Sequence, residues 1–307
     1  MEPTLNLTYK APEVRRILAA HAFDFFLSIL LSFLFIVTLH QPLSHAPFFV
    51  EQTAKRSEIQ IDSKLYVKEN DAVITLVDCL EKEGDTANRQ SEALDEAMDY
   101  FFAHFIDAEL GGKGKETYLS LKAEGKLRDQ AMFDGEGKRV LLSPDDDMAY
   151  LRYYRDLYGN RVIGYLRYNA DYRAVSATLI WMELGVDALS AFLAFGVFYL
   201  LIPLCFRRGK STLGMRLTRL SYVGLNGLSC PWWKVLLSYL FFVPVVVIGS
   251  LVAFLIPLGV SITLLSVRKQ RQSLANYVLG IYPVSHEGRR VFLSEFEARR
   301  YQGETSF

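Results

Sequence analysis

The chain has 307 residues, with 34 basic and 34 acidic side chains, and 51% of it is hydrophobic. The zero net charge is an average: residues 41–173 hold 18 basic against 25 acidic residues, residues 174–307 hold 13 against 6, and residues 1–40 balance. The basic half flanks long apolar runs, which argues against a nucleic-acid-binding role, and Cys79, Cys205 and Cys230 show no CxxC or Cys/His metal spacing.

The first apolar run, about Phe25 to Leu39, follows Lys10, Arg15 and Arg16, with Asp24 at its mouth. Ser44-His45-Ala46 offers a small-x-small cleavage site, but Pro47 follows directly and the run exceeds a usual signal core. It reads as a retained helix with a cytoplasmic N-terminus. Arg16 and Asp24 are charges that a bilayer makes expensive, and are therefore edge anchors or working parts. They differ by about 80° in direction on one helix, so Asp24 is expected to pair with a basic group elsewhere, Arg216 or Arg271. His21 lies one turn before Asp24 and could exchange protons with it. The alternative is a clamp closing the cytoplasmic end of a bundle.

Residues 41–173 form a polar insert long enough for its own core. Ile59, Ile61 and Leu65 within Ser57–Val67 alternate as in a strand. Ala72–Leu80 is a second apolar stretch, in which Cys79 reads as a small buried residue. Ala93, Ala97, Tyr100, Phe101, His104 and Phe105 predict a helix over 88–108, ended by Gly111–Gly114. Tyr118–Leu127 is a weaker helix, and a turn at Gly135–Gly137 precedes a short strand, Val140–Leu142. Ser143-Pro144-Asp145-Asp146-Asp147 is a helix start, with a serine cap, proline in the first turn and acids at the positive end. Calcium is the weaker reading of those aspartates, which lack the alternating spacing and distal glutamate of a calcium loop. Seven tyrosines between Tyr150 and Tyr172 serve as core and interfacial belt, or as a ligand surface. The insert has no hydrolase elbow, phosphate loop or zinc signature, and no catalytic constellation or cofactor is expected.

The second apolar block, Ala177–Cys205, carries Glu183 and Asp187 four apart near its outer end, as a water-facing pair or as an outer cation gate. Arg207, Arg208, Lys210, Arg216 and Arg219 place its other end in the cytoplasm. The third block, Val235–Ser266, has Lys234 before it and Arg268, Lys269 and Arg271 after it. Positive charge at both ends predicts a hairpin of two helices turning near Gly249-Ser250, with a single tilted span as the alternative. Gly209-Lys210-Ser211-Thr212 lacks the upstream glycine of a nucleotide loop.

The expected fold is thus an α-helical membrane bundle of four spans, the last two a tight hairpin, with an inserted α+β extracytoplasmic domain. Its parts are the N-terminus and first helix (1–40), the insert (41–173), the second helix (174–206), a basic cytoplasmic loop (207–233), the hairpin (234–267) and a cytoplasmic tail (268–307).

Four segments carry a family resemblance: Arg15-Arg16-Ile17-Leu18-Ala19-Ala20-His21-Ala22-Phe23-Asp24, Gly209–Leu217, Asn226-Gly227 and Arg271–Gly280. In order and in placement against the apolar blocks they resemble the RDD family of bacterial integral membrane proteins. Three departures stand out: Asn276 where the family has a second Asp, Met215 where it has Lys, and the long insert. The resemblance suggests a transport role, and one reading of the four helices is a small ion, proton or solute transport unit with Asp24, Asp187 and Asn276 lining a path. An amide at 276 cannot titrate, which weakens that implication. The other class is a membrane-anchored sensor, receptor or assembly factor whose exported domain meets a ligand or protein partner. Oligomerisation would supply the walls that four helices lack, and Arg289, Arg290, Arg299 and Arg300 in the tail suit anionic lipid or another protein.

Overall fold

A computed structural model describes residues 9–141, 143–244, 255–285 and 290–304. The expected turn at Gly249-Ser250, Leu142 and Arg289 lie outside these residues. The chain is mostly helical and divides into two units, residues 43–184 and residues 1–42 with 185–307.

In chain order, α1 (Val14–Ser44) is followed by α2 (Pro47–Asp62), β1 (Tyr66–Glu69), β2 (Ala72–Thr75), α3 (Leu76–Glu83) and α4 (Ala87–Tyr100). A π-helical turn, Phe101–Phe105, extends α4. Then come α5 (Gly114–Ala123), β3 (Lys126–Leu127), β4 (Gln130–Ala131), α6 (Pro144–Asn160), a 3-10 helix (Val162–Tyr168) and α7 (Ala170–Gly196). A second π-turn (Val197–Leu201) joins α7 to α8 (Ile202–Cys205), and the chain closes with α9 (Leu213–Leu217), β5 (Leu220–Gly224), α10 (Trp232–Phe241), α11 (Ile256–Val267), α12 (Leu274–Leu279), β6 (Ile281–Ser285) and α13 (Glu295–Glu304).

The first unit, residues 43–184, corrects the strand expected over Ser57–Val67. Helix α2 occupies its first six positions, since Gln, Ala, Lys, Arg and Glu between 51 and 60 are strong helix formers. The strand starts only at Tyr66 and pairs with β2 across Asn70-Asp71. Both turn residues have positive φ (46° and 68°), the backbone of a two-residue primed turn. Ala72–Leu80 divides at Thr75, whose side chain accepts from the Asp78 amide and starts α3. Cys79 is half-buried rather than fully buried. The expected helix over 88–108 matches α4 with its π-turn. The weaker one begins four residues early, at Gly114, and ends at Ala123. Val140 is not in a strand; Arg139 makes only an isolated bridge to Phe133.

Helix α6 begins where the serine-proline-aspartate run predicts, with a capping box between Ser143 and Asp146. Its tyrosines are core. Tyr150, Tyr154 and Tyr158 are fully buried beside Phe101, Phe102 and Tyr118. Their hydroxyls act as ties: Tyr150 donates to the Met132 carbonyl (2.6 Å), Tyr153 to Leu121 (2.8 Å) and Tyr158 to Leu65. Burial raises the phenols of Tyr118, Tyr154 and Tyr158 well above their ordinary range, so they stay neutral. Lys122, 6% exposed, is held by Asp95 at 2.9 Å and by the ring of Phe133 at 4.9 Å from its centroid.

Two helices that lie mostly in the second unit, α1 (31 residues) and the continuous helix Ala170–Cys205 (36 residues), are long and apolar enough to cross a membrane. At about 1.5 Å per residue each exceeds the ~30 Å hydrocarbon core. Most of α1 is open: Phe26, Leu34 and Val37 are 59%, 57% and 70% exposed. An apolar surface of this kind marks a membrane or partner-facing helix. The buried stripe of α1 is Ile17, Ala20, Asp24, Ser28 and Ser32, one face at helical spacing. The two helices run antiparallel: His21 stacks on Tyr199, Phe25 meets Phe195 edge-on, and His40 reaches Asp187. The π-turn precedes Pro203, whose missing N–H and ring disturb the regular ladder just there.

Shorter apolar helices cover Trp232–Pro244 and Ile256–Val267. Helices α10 and α11 meet the same small helix, α12: Lys234 donates to the Leu279 carbonyl and Ser238 to Asn276, while Leu274 N donates to Ser261. At that end β5 and β6 form a two-stranded antiparallel sheet, Leu220 opposite Ser285 and Gly224 opposite Ile281, which Lys10 extends by a bridge.

Candidate functional site

Helix α1 brings Asp24 to the N-terminal end of α9. The carboxylate is 0% exposed. Its Oδ1 accepts the Gly214 amide at 2.7 Å, and its Oδ2 accepts the Thr212 hydroxyl. Thr212 Oγ1 also accepts the Met215 amide at 3.2 Å, capping α9. Gly214 is required by packing: a Cβ there would stand 2.2 Å from the Ala20 carbonyl oxygen. Gly209 is required by backbone and space, with φ +78° and a Cβ that would meet Ser221 Oγ at 2.5 Å. The segment Gly209–Leu217 is therefore a fitted cradle for the first helix.

The basic residues do not meet Asp24, as the sequence led us to expect of Arg216 or Arg271. Arg216 lies over the Phe206 ring at 4.1 Å, and Arg271 donates to the Leu265 and Ser266 carbonyls that end α11. Arg16 donates to the Thr218 carbonyl at 2.6 Å, Lys210 to Leu204 at 3.3 Å and Lys234 to Leu279 at 2.9 Å. Each cation sits on the carbonyl end of a helix, where the dipole favours it. The buried carboxylate takes neutral donors, and among the described residues no ion pair is assembled around it.

His21 and Asp24, one turn apart, part company. His21 lines a cavity of about 590 Å³ with Tyr199, Tyr222, Ser238 and Asn276, and Asp24 does not line it. Tyr222 Oη stands 3.5 Å from His21 Nε2, and Asn276 Oδ1 accepts from Ser238 at 3.1 Å. Asn276 is buried and Arg16 half-buried. At the far end of α1, His40 Nε2 lies 3.0 Å from Asp187 Oδ1, while Glu183 is exposed. The two acids thus differ in partner, although one helical face carries both.

The residues sequence reasoning missed are Thr212, Gly214, Tyr199, Tyr222, Ser238 and His40. The glycine-threonine segment carried a signal, because an aspartate on an apolar helix with no nearby base needs donors and a loop of that composition supplies them. The tyrosines and Ser238 carried none. Among the described residues no group of His, Cys, Asp and Glu could hold a metal ion. Comparison with protein-family models, with curated proteins and with solved structures finds no match.

Proposed function

We propose that the chain is a multi-pass cell-membrane protein similar to the RDD family. Both termini and the basic loop are cytoplasmic, four segments lie in the bilayer, and residues 41–173 are extracytoplasmic. It acts as a membrane-anchored receptor or assembly factor through that insert, rather than as an ion exchanger. One observation carries the choice: both oxygens of Asp24 are taken, by Thr212 and Gly214, and Asp24 itself does not line the cavity. A carboxylate so held is a fastener, since moving an ion past it would break the cradle. Support for the hairpin comes from α10 and α11 both touching one helix, α12.

Ion-flux assays on reconstituted vesicles test this. The wild type is expected to match empty vesicles; a flux that Asp24→Asn abolishes overturns the reading. Deletion of residues 48–170 is expected to abolish partner-dependent activity, and full activity without them would sink the receptor role. For topology, a membrane-impermeant amine reagent should modify exposed Lys115 and spare exposed Lys269 in intact cells. Cys230 makes a poor reporter. It is buried, and burial pushes its thiol up to about 11, so it would escape labelling on either side.

A further inference from the structure

The cavity in the second unit has a shape and a chemistry that the fastening of the helices does not use. Its lining follows α1 from Leu18 to Ile36, about 27 Å at ~1.5 Å per residue, close to the full hydrocarbon thickness. Its volume, about 590 Å³, falls within the ~300–1,000 Å³ of small-molecule sites. The walls are apolar and aromatic, with Phe25, Phe195 and Phe242 among them. Several wall residues are also exposed, Phe33 at 62%, Leu255 at 60% and Ile262 at 42%. In a bilayer this side opens to lipid, so a ligand would enter laterally.

Polar groups gather at the end nearer the β5–β6 sheet: His21, Tyr222, Ser238 and Asn276. Among the described lining residues there is no Asp, Glu, Lys or Arg. The nearby cations are engaged elsewhere, Lys210, Lys234, Arg16 and Arg271 each donating to a backbone carbonyl. An anionic headgroup would have no counter-charge here, and burying one unpaired is costly. An uncharged end group with an oxygen or hydroxyl meets donors and acceptors of matching kind.

We propose that this cavity binds one lipophilic molecule with an uncharged, hydrogen-bonding end group, its chain lying along α1 and its head at His21, Tyr222 and Asn276. The inference rests on the reading that the second unit lies in the bilayer, and it adds to the receptor role of the insert a separate ligand site in the membrane unit.

The test uses the full chain in phosphatidylcholine nanodiscs and a hexadecanol carrying a photoactivatable diazirine. The expected result is saturable crosslinking within residues 18–36 and 195–203, competed by unlabelled hexadecanol. Hexadecanoic acid with the same diazirine should label at least fivefold less. Ala191→Phe, which adds a ring to the cavity wall, should cut labelling about tenfold, whereas Leu34→Phe, on the exposed face of α1, should leave it unchanged. Tyr222→Phe keeps the ring and should lower the preference for the alcohol over a diazirine hexadecane roughly two- to tenfold, as loss of one hydrogen bond predicts. Labelling that rises linearly with probe and ignores Ala191→Phe identifies loosely bound bulk lipid and overturns the site. Preference for the acid overturns the head chemistry. Failure of the underlying membrane reading would look different, as a protein that stays monodisperse without detergent and does not enter nanodiscs.

Discussion

The two units hold their most buried charges, Lys122 and Asp24, in opposite ways. In residues 43–184 the buried Lys122 meets Asp95, and the half-buried Arg155 and Arg139 meet Glu81 at 2.6 Å and Asp147 at 3.6 Å. In the second unit Asp24 is held by a hydroxyl and an amide, and the cations around it hold helix-end carbonyls. Water nearby lets an ion pair form at modest cost. Between apolar helices, neutral donors and helix ends do the same work without bringing two full charges out of water. The contrast teaches that an acid and a set of bases near one end of an apolar helix need not be partners.

The largest test of this contrast is Asp95→Ala. It strands the Lys122 charge, which is 6% exposed. Breaking a buried pair costs about 3–5 kcal/mol, and the lower end applies because Asp95 is about one-third exposed. The paired change Asp95→Leu with Lys122→Met should recover most of the loss, as measured by denaturant unfolding. A single variant as stable as the wild type would mean that the pair is an exposed one in solution. Gly214→Ala comes next. Its methyl has backbone of Ala20 in the way, so α1 must move, at about 3 kcal/mol for overpacking against rigid groups. The expected signs are a lowered Tm and new protease cleavage in the 207–219 loop. Unchanged protection would show that the cradle is loose. Thr212→Val then removes one donor to Asp24 and the cap on Met215, about 1–2 kcal/mol, while Thr212→Ser should restore most of it. A Thr212→Val chain as stable as the wild type would remove the neutral-donor half of the comparison.

How much of this was legible follows the same division. The start of α6 could be read because a serine, a proline and three aspartates state their roles locally, and the helix begins at Pro144. The two long apolar helices were legible from length and composition. The strand over Ser57–Val67 was misread because Ile59 and Ile61 alternate by chance within a polar, helix-forming run; the better signal was Asn70-Asp71, a turn pair with positive φ at both positions. Asp24 was legible as a special residue, but its partners were not. Charge suggests charge, whereas Thr212 and Gly214 announce nothing until α1 and α9 are seen together. The lining of the cavity by His21, Tyr222 and Asn276 depends on three segments far apart in sequence, and no local pattern encodes it.

The smallest expected effect belongs to Asp134, on the polar side of the comparison. Its carboxylate accepts the Lys138 and Glu136 amides, at 2.8 and 2.9 Å, and closes the turn through Gly137. The backbone amides, Lys138 first, hold its pKa below the ordinary 3.8. A lowered folded pKa contributes stability that is present above the unfolded value and is lost as pH falls through the folded one. The Lys138 and Glu136 amide resonances should therefore stay constant down to about the ordinary carboxylate range and titrate only below it. Asp134→Asn should remove that titration while leaving the unfolding midpoint at neutral pH nearly unchanged, because the turn is exposed and water competes for its hydrogen bonds. A midpoint at or above 3.8 would mean that the amides do not close on the carboxylate in solution. The polar unit would then lack, at this turn, the kind of neutral-donor hold that fastens Asp24 in the other.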